Sequence, residues 1–368
     1  MNHTYSLYLD LIRLCAASFI VYSHSNVRFL LPEVLPLAKF AHSAVTVFFV
    51  LSGYVVAFVT DQRERTPQEY VASRTARILP LAMVAVLATP LIDMLGRSFE
   101  PDIYSGLAPS DHILLRIGIS LAFLCEIWTM SVMTFINVPY WSLCYEVWYY
   151  TIFGVHHFAS QRYRTILIVG ICLLIGPKIL LMAPAWLAGV WIYRWRKPDQ
   201  LLPTAYAVLA WLTSILLFVL YHVFDIMRAF SGLIEQYGGD WLHEHLTFSK
   251  YFGADWLLAA VVAINFVCAR IIAERINYTP SRGLTHACNR LGGLSYALYI
   301  LHFPLLYCIG SLLYQIPPST EKWLITLSAT LTICLACGVL AECLRPRFRA
   351  FLLRSIHPHS AAPKRMVS

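Results

Sequence analysis

Apolar runs long enough to cross a lipid bilayer recur along this chain, and they leave it almost no freedom of fold class. A spanning helix needs about 17–25 mostly apolar residues. Runs of that length stand at roughly 7–26, 40–60, 78–95, 112–130, 140–158, 164–182, 203–223, 253–273, 293–314 and 321–343, with a shorter one at about 183–195 after Pro184. Charged residues make up 13% of the 368 residues and hydrophobic residues 58%. About a quarter of an ordinary soluble domain is charged, so too little polar surface remains to cover a water-soluble globule. In lipid that shortage disappears, and each spanning segment must satisfy its own backbone as a helix. The expected fold is therefore all-α, a polytopic transmembrane helical bundle. Ten Trp and 21 Tyr suit the two membrane interfaces.

Charge orients the bundle. The net charge of +8 falls in short clusters between apolar runs: 61–77, 160–164, 194–197, 270–290 and the C-terminal stretch with Arg345, Arg347, Arg349, Arg354, Lys364 and Arg365. Clusters of this kind mark cytoplasmic loops and contacts with anionic membrane lipids, not nucleic-acid binding. All five can share one side only if one of the eleven candidates fails to cross. The 112–130 run, with His112, Arg116 and Glu126, is the weakest. The expectation is about ten spanning helices plus one re-entrant or non-spanning helix, with both termini cytoplasmic. Residues 1–345 form the membrane-embedded domain and 346–368 a basic cytoplasmic tail. The first apolar run has Arg13 embedded and no small-residue cleavage site after it, so it reads as a span and not as a cleaved signal. The ten Cys lie mostly inside apolar runs, and the Cys334–Cys337 pair reads as packing. No metal site is expected. The longest outward loop, about 224–252, reads as an acceptor-binding loop, with His243 and His245 as a minor metal alternative.

Ionisable groups inside lipid cost ~2.5–3.5 kcal/mol each at a helix centre, so they persist where they pair or line a polar cavity. Asp10 and Arg13 are three apart on one helix face and can neutralise each other. Arg13 and His24 are eleven apart, which returns to nearly the same face ~16 Å along the axis. One reading is a snorkelling Arg and an interfacial His; the other is an inner anion site and a general base, for which the imidazole pKa is suited. Arg74 and Arg77 share a face at the start of the third run. They serve topology, or they grip phosphate oxygens with two planar forks. Glu146 stands alone among Trp141, Tyr145, Trp148, Tyr149 and Tyr150. It must be paired or protonated, with His24 or Arg13 as candidate partners, and the aromatics beside it can stack on a sugar or pack the core. Ser52-Gly53 reads as close helix packing. His302 lies deep in a late run just before Pro304, bonded to a carbonyl or serving the site.

In this order the motifs resemble the membrane acyltransferase-3 family, whose members O-acylate bacterial surface polysaccharides, peptidoglycan, glycolipid signals and some antibiotics. The resemblance rests on Leu9-Asp10-Leu11-Ile12-Arg13, the Arg13-x10-His24 pair and Phe48-Phe49-Val50-Leu51-Ser52-Gly53-Tyr54. It continues at Arg74-x-x-Arg77-Ile78-Leu79-Pro80, at Trp141-Ser142-Leu143 with Glu146, and from Leu294-Ser295-Tyr296 to His302-Phe303-Pro304. It implies a bacterial inner-membrane enzyme that moves an acyl group, acetyl or another short acyl, from acyl-CoA to a carbohydrate or glycolipid acceptor. Acyl-CoA is then a co-substrate, and no cofactor is permanently bound. The resemblance implies Arg13 and His24 as the catalytic pair and Arg74 and Arg77 as donor contacts; the reading of the residues adds Glu146 as a third catalytic group and Trp141, Tyr149, His302 and Asp10 as the substrate-binding set. One departure stands out: the family's acid two residues before a late proline is Leu344 here, with Glu342 displaced by two. The competing class is a transporter or flippase using the same buried groups as a proton relay, against which the chain shows no inverted repeat.

Overall fold

The computed structural model describes residues 2–36, 38–107, 111–195, 200, 202–276, 278 and 280–356. Twelve α-helices account for the fold among these residues, with short 3-10 turns between them: α1 (His3–His24), α2 (Ala41–Arg63), α3 (Pro67–Phe99), α4 (Ile113–Leu121), α5 (Tyr140–Phe158), α6 (Gln161–Ile175), α7 (Pro177–Arg194), α8 (Thr204–Val223), α9 (Ile226–Leu246), α10 (Phe252–Arg275), α11 (Arg282–Leu312) and α12 (Thr320–Ile356). Seven helices among the described residues are long and apolar enough to cross a membrane; α5, α6 and α7 are outside that set. Exposed Leu, Ile, Val and Phe side chains cover the outer faces of α3, α6 and α8, as a lipid-facing surface requires.

The basic stretches converge on one end of the bundle. Asn2 donates to the Ala273 carbonyl at 2.6 Å, and the Tyr70 ring packs on Phe158. Tyr193 packs on Tyr54 and Phe58, Arg270 donates to the Trp195 carbonyl at 3.0 Å, and Glu342 abuts Gly293. The loops 61–77, 160–164 and 270–290 therefore lie together with Arg194 and the end of α12. Arg196, Lys197, Lys364 and Arg365 are outside the described residues. Helix α12 continues through Pro346 to Ile356, so the first part of the expected tail is helical.

The 112–130 run does not span. Its helix, α4, has 9 residues, ~14 Å against a hydrocarbon core of ~30 Å. Residues 122–139 then run irregularly, with Phe123, Trp128 and Phe135 at positive φ. Such backbone survives only where its surroundings dictate it. Here they do: Lys178 and Glu126 form an ion pair at 2.8 Å, each 1% exposed. The Trp128 indole donates to the Leu173 carbonyl, the Trp148 indole to the Phe123 carbonyl, and the Ile136 amide to Asp93. Non-helical backbone at this depth is tolerated where protein supplies its hydrogen bonds.

Two boundaries differ from the sequence expectation. The break expected near 182–184 lies at Gly176-Pro177, where Gly176 adopts φ +77° and Pro177 opens α7; Pro184 sits inside α7. A positive φ with extended ψ is open to Gly alone, and Pro suits the first turn of the next helix. The segment expected as an outward loop at 224–252 is mostly helix α9. The Ser52-Gly53 packing expectation holds. A Cβ on Gly53 would lie 2.0 Å from the Trp186 carbonyl oxygen, and one on Gly189 would lie 1.9 Å from that of Val50, so α2 and α7 cross backbone to backbone.

Candidate functional site

A narrow cleft of about 60 Å³ runs between α1, α2, α3, α5 and α11, where Arg13, Ser52, Arg77, Ser142, Glu146, Tyr150, Ser295, Tyr296 and Tyr299 are set among apolar side chains of α2 and α5. Five of the sequence motifs meet along it. At its inner part Arg13 pairs with Asp10 at 3.3 Å, as the spacing predicts. Gly292 allows this: a Cβ there would sit 3.1 Å from the Asp10 carboxylate. Arg77 faces the same space, within the electrostatic reach of Glu146 and of Glu342 on α12.

Arg74 is placed differently from its neighbour. Its guanidinium donates to both carboxylate oxygens of Glu64, at 3.0 and 2.9 Å, and lies over the Tyr70 and Tyr150 rings. Glu64 is 4% exposed and also accepts from Thr60. The two arginines therefore do not form one paired fork. Tyr150 is the wall between the cleft and an apolar groove of about 650 Å³ between α3 and α5, on whose rim Arg74 stands.

Glu146 bonds neither His24 nor Arg13. Its carboxylate accepts from the Ser52 and Tyr150 hydroxyls, each at 2.5 Å, while Arg13 shares the cleft without touching it. The physical reason is register: α5 runs alongside α2, so Glu146 falls level with Ser52, about ten residues below the α1 terminus that carries His24. Towards the outer part of the cleft, the Tyr299 hydroxyl bonds Ser142 at 2.5 Å and donates to the Pro139 carbonyl at 2.8 Å.

One turn further along α11, His302 meets His24. The rings are nearly coplanar and meet edge to edge, with centroids 5.1 Å apart and planes 7° apart, and His24 Nδ1 lies 2.8 Å from His302 Nε2. His302 is fully buried, and its Nδ1 faces the carbonyl oxygens of Leu298 and Tyr299 at 2.8 and 2.9 Å. Carbonyls only accept, so His302 Nδ1 carries a proton. In the neutral ring, Nε2 is then bare and accepts from His24 Nδ1–H. By the same logic His24 keeps a lone pair on Nε2, the form a general base needs. Tautomers assigned this way follow from the hydrogen-bond network.

The late proline supports this pair. Pro304 has no N–H for the carbonyl four residues earlier, and that carbonyl, Ile300, accepts from the Asn137 side chain at 2.9 Å. The irregular segment after α4 thus pins α11 beside His302.

The expected sugar platforms are covered. Trp141 is stacked by Phe248, with centroids 4.5 Å and planes 5° apart, and the His42 ring lies parallel to it at 6.0 Å. Tyr149 is 2% exposed and donates to the Ile179 carbonyl. Both lie in the aromatic core that holds α5 against α2 and α7. Among the described residues no group of three or more His, Cys, Asp or Glu is placed to hold a metal; His243 bonds Ser231, and His245 bonds the Trp241 carbonyl.

Several site residues escaped the sequence reading. Ser52, Ser142, Tyr296 and Tyr299 carry no signature beyond their motifs. Glu64 is hidden among the charges of a basic loop. Asp255 was legible, as an acid within an apolar run: it is fully buried and accepts from His42 Nε2 at 3.0 Å and from Thr46 at 2.6 Å.

Residues 6–342 match the acyltransferase-3 family (Acyl_transf_3, acyltransferase domain). A stretch of 139 residues is 29% identical to the exopolysaccharide production protein ExoZ of Rhizobium meliloti (strain 1021), covering 36% of this chain and 39% of that protein. No solved structure matches. With its helical architecture, its cleft and a match over nearly its whole length, the chain belongs to the acyltransferase-3 family.

Proposed function

We propose that this chain is a multi-pass membrane O-acyltransferase that transfers a short acyl group from acyl-CoA to a hydroxyl of a carbohydrate acceptor, with His24 as general base. The observation that carries this reading is the His24–His302 contact, which leaves a lone pair on His24 Nε2. Similarity to a protein named for exopolysaccharide production supports a polysaccharide-related acceptor.

In the proposed reaction His24 Nε2 takes the proton of the acceptor hydroxyl as its oxygen attacks the thioester carbonyl carbon. The carbon–sulfur bond then breaks, and coenzyme A leaves as its thiol with the proton held by His24. The imidazolium formed at Nε2 is shared with His302 through the Nδ1–H bond. Arg13 stands ~16 Å deeper along α1, and Arg77 of α3 lines the same cleft; cations there suit the phosphates of the coenzyme. The donor enters from the basic end and the acceptor from the other. The acceptor meets the thioester near His24. Ten crossings fit this scheme, with α5, α6 and α7 joining the seven longer helices and both termini on the cytoplasmic side of the inner membrane.

The test uses membranes containing the chain, radiolabelled acetyl-CoA and alkali-deacylated surface polysaccharide from the same strain. General bases contribute about 10²–10⁴-fold, and His24→Ala should lose that much while accumulating normally. His302→Ala should lose at least tenfold. His302→Gln, which retains an acceptor for the Nδ1–H, should lose less than His302→Phe. Wild-type transfer in His24→Ala would end this mechanism.

A further inference from the structure

A second imidazole is oriented at the outer part of the bundle, away from His24. His42, in the first turn of α2, gives its Nε2–H to Asp255 of α10 at 3.0 Å. The carboxylate is fully buried, and its other oxygen accepts from Thr46 at 2.6 Å. A carboxylate accepts only, so the proton of neutral His42 sits on Nε2 and Nδ1 holds the lone pair. Nδ1 has no protein partner among the described residues. The ring is fixed between Trp141 and Tyr251, with centroids 6.0 and 4.9 Å away. A buried charge held by two donors and aimed at one ring nitrogen is a costly arrangement if it serves packing alone.

The surroundings identify what this nitrogen can meet. Ser43, beside His42 in the chain, and Tyr251, against its ring, both line a cavity of about 570 Å³ at the junction of α2, α8, α9 and the turn before α10, which His42 adjoins through these two residues. That size is in the range of small-molecule sites. Its other walls include Asp225, Arg228, Ser231, Glu235 and His243. Asp225 and Arg228 approach to 3.9 Å. Two carboxylates against one guanidinium make the cavity mildly acidic, which disfavours anionic ligands, and its hydroxyl, imidazole and carboxylate groups match a ligand rich in hydroxyls. Val45 lies one turn further along α2 from His42 and Ser142 follows Trp141; both line the cleft described above.

We propose that this outer cavity is the acceptor subsite, that it takes a neutral sugar, and that His42, oriented by Asp255, accepts a hydrogen bond from an acceptor hydroxyl at Nδ1. This deepens the acyl-transfer reading and rests on it. His42 binds and positions; His24 remains the base. Asp255 acts through His42 and is a positioning residue.

The experiment is steady-state transfer from radiolabelled acetyl-CoA in membranes, with alkali-deacylated surface polysaccharide as the varied acceptor. His42→Gln should raise the acceptor KM at least tenfold and leave the acetyl-CoA KM unchanged. Asp255→Asn should act in the same direction. The double variant should be no worse than His42→Gln alone, because both act through one contact. Should His42→Gln accumulate poorly, Glu235→Gln on the cavity wall carries the same test, with a smaller rise in acceptor KM. An unchanged acceptor KM in an accumulating variant, or equal changes in both KM values, overturns the subsite and leaves the transferase reading standing. Failure of the wild-type chain to transfer label overturns both.

Discussion

A guanidinium bound by both oxygens of a buried carboxylate has little left to offer a substrate, and this separates two arginines that look equivalent in sequence. Arg74 is bound to Glu64 and covered by Tyr70 and Tyr150, whereas Arg77 faces the cleft. Removing one partner of a buried ion pair costs about 3–5 kcal/mol because the other is stranded. Arg74→Ala should therefore show mainly as lost accumulation and lower thermal stability in detergent. Arg77→Ala should accumulate normally and raise the KM for acetyl-CoA at least tenfold. Both quantities are read from purified protein and from the transfer assay. The reverse pattern would reassign the donor contact to Arg74. The same principle operates at His302, whose ring is so fully engaged that it acts on chemistry only through His24.

At the scale of elements, the irregular segment after α4 is the least predictable part of the fold and one of the most consequential. It supplies Asn137 to the carbonyl that Pro304 leaves unpaired, and it leads directly into Tyr140 and Trp141 at the start of α5. Its anchor is the Lys178–Glu126 pair, in which Lys178 also donates to the Met130 carbonyl and Glu126 accepts from Ser131 and Thr247. Lys178→Met should destabilise the chain by about 3–5 kcal/mol, seen as a lower unfolding temperature in detergent. Adding Glu126→Leu should recover part of that loss, since an apolar pair needs no partner for a buried charge. Wild-type stability in Lys178→Met would mean that the segment is held by its other contacts. The backbone-to-backbone crossing of α2 and α7 at Gly53 and Gly189 is the opposite kind of element, one that small residues announce in the sequence.

For the whole molecule, the convergence of basic stretches at one end fixes what topology to expect. Reporter fusions ending near residues 62, 160 and 278 should behave as cytoplasmic, and those ending near 105, 236 and 316 as external. The position near 160 decides most, because α5 and α6 flank it and neither belongs to the seven longer helices. An external signal at 160 would remove the pair as crossings and with it the ten-span topology.

Fold class, the one-sided charge and the ordered motifs were determined by the sequence alone, because lipid imposes long apolar helices and charge bias reads directly off the loops. The Asp10–Arg13 pair was also legible, since helix geometry makes neighbours of residues three apart. Partners that sit on different helices were decided by tertiary structure. That Glu146 meets Ser52, that His24 meets His302, and that Arg74 is taken by Glu64 depend on how one helix is set against the next. Register is set by glycine contacts, a proline-freed carbonyl and a buried ion pair, and none of these has a period that a single chain displays.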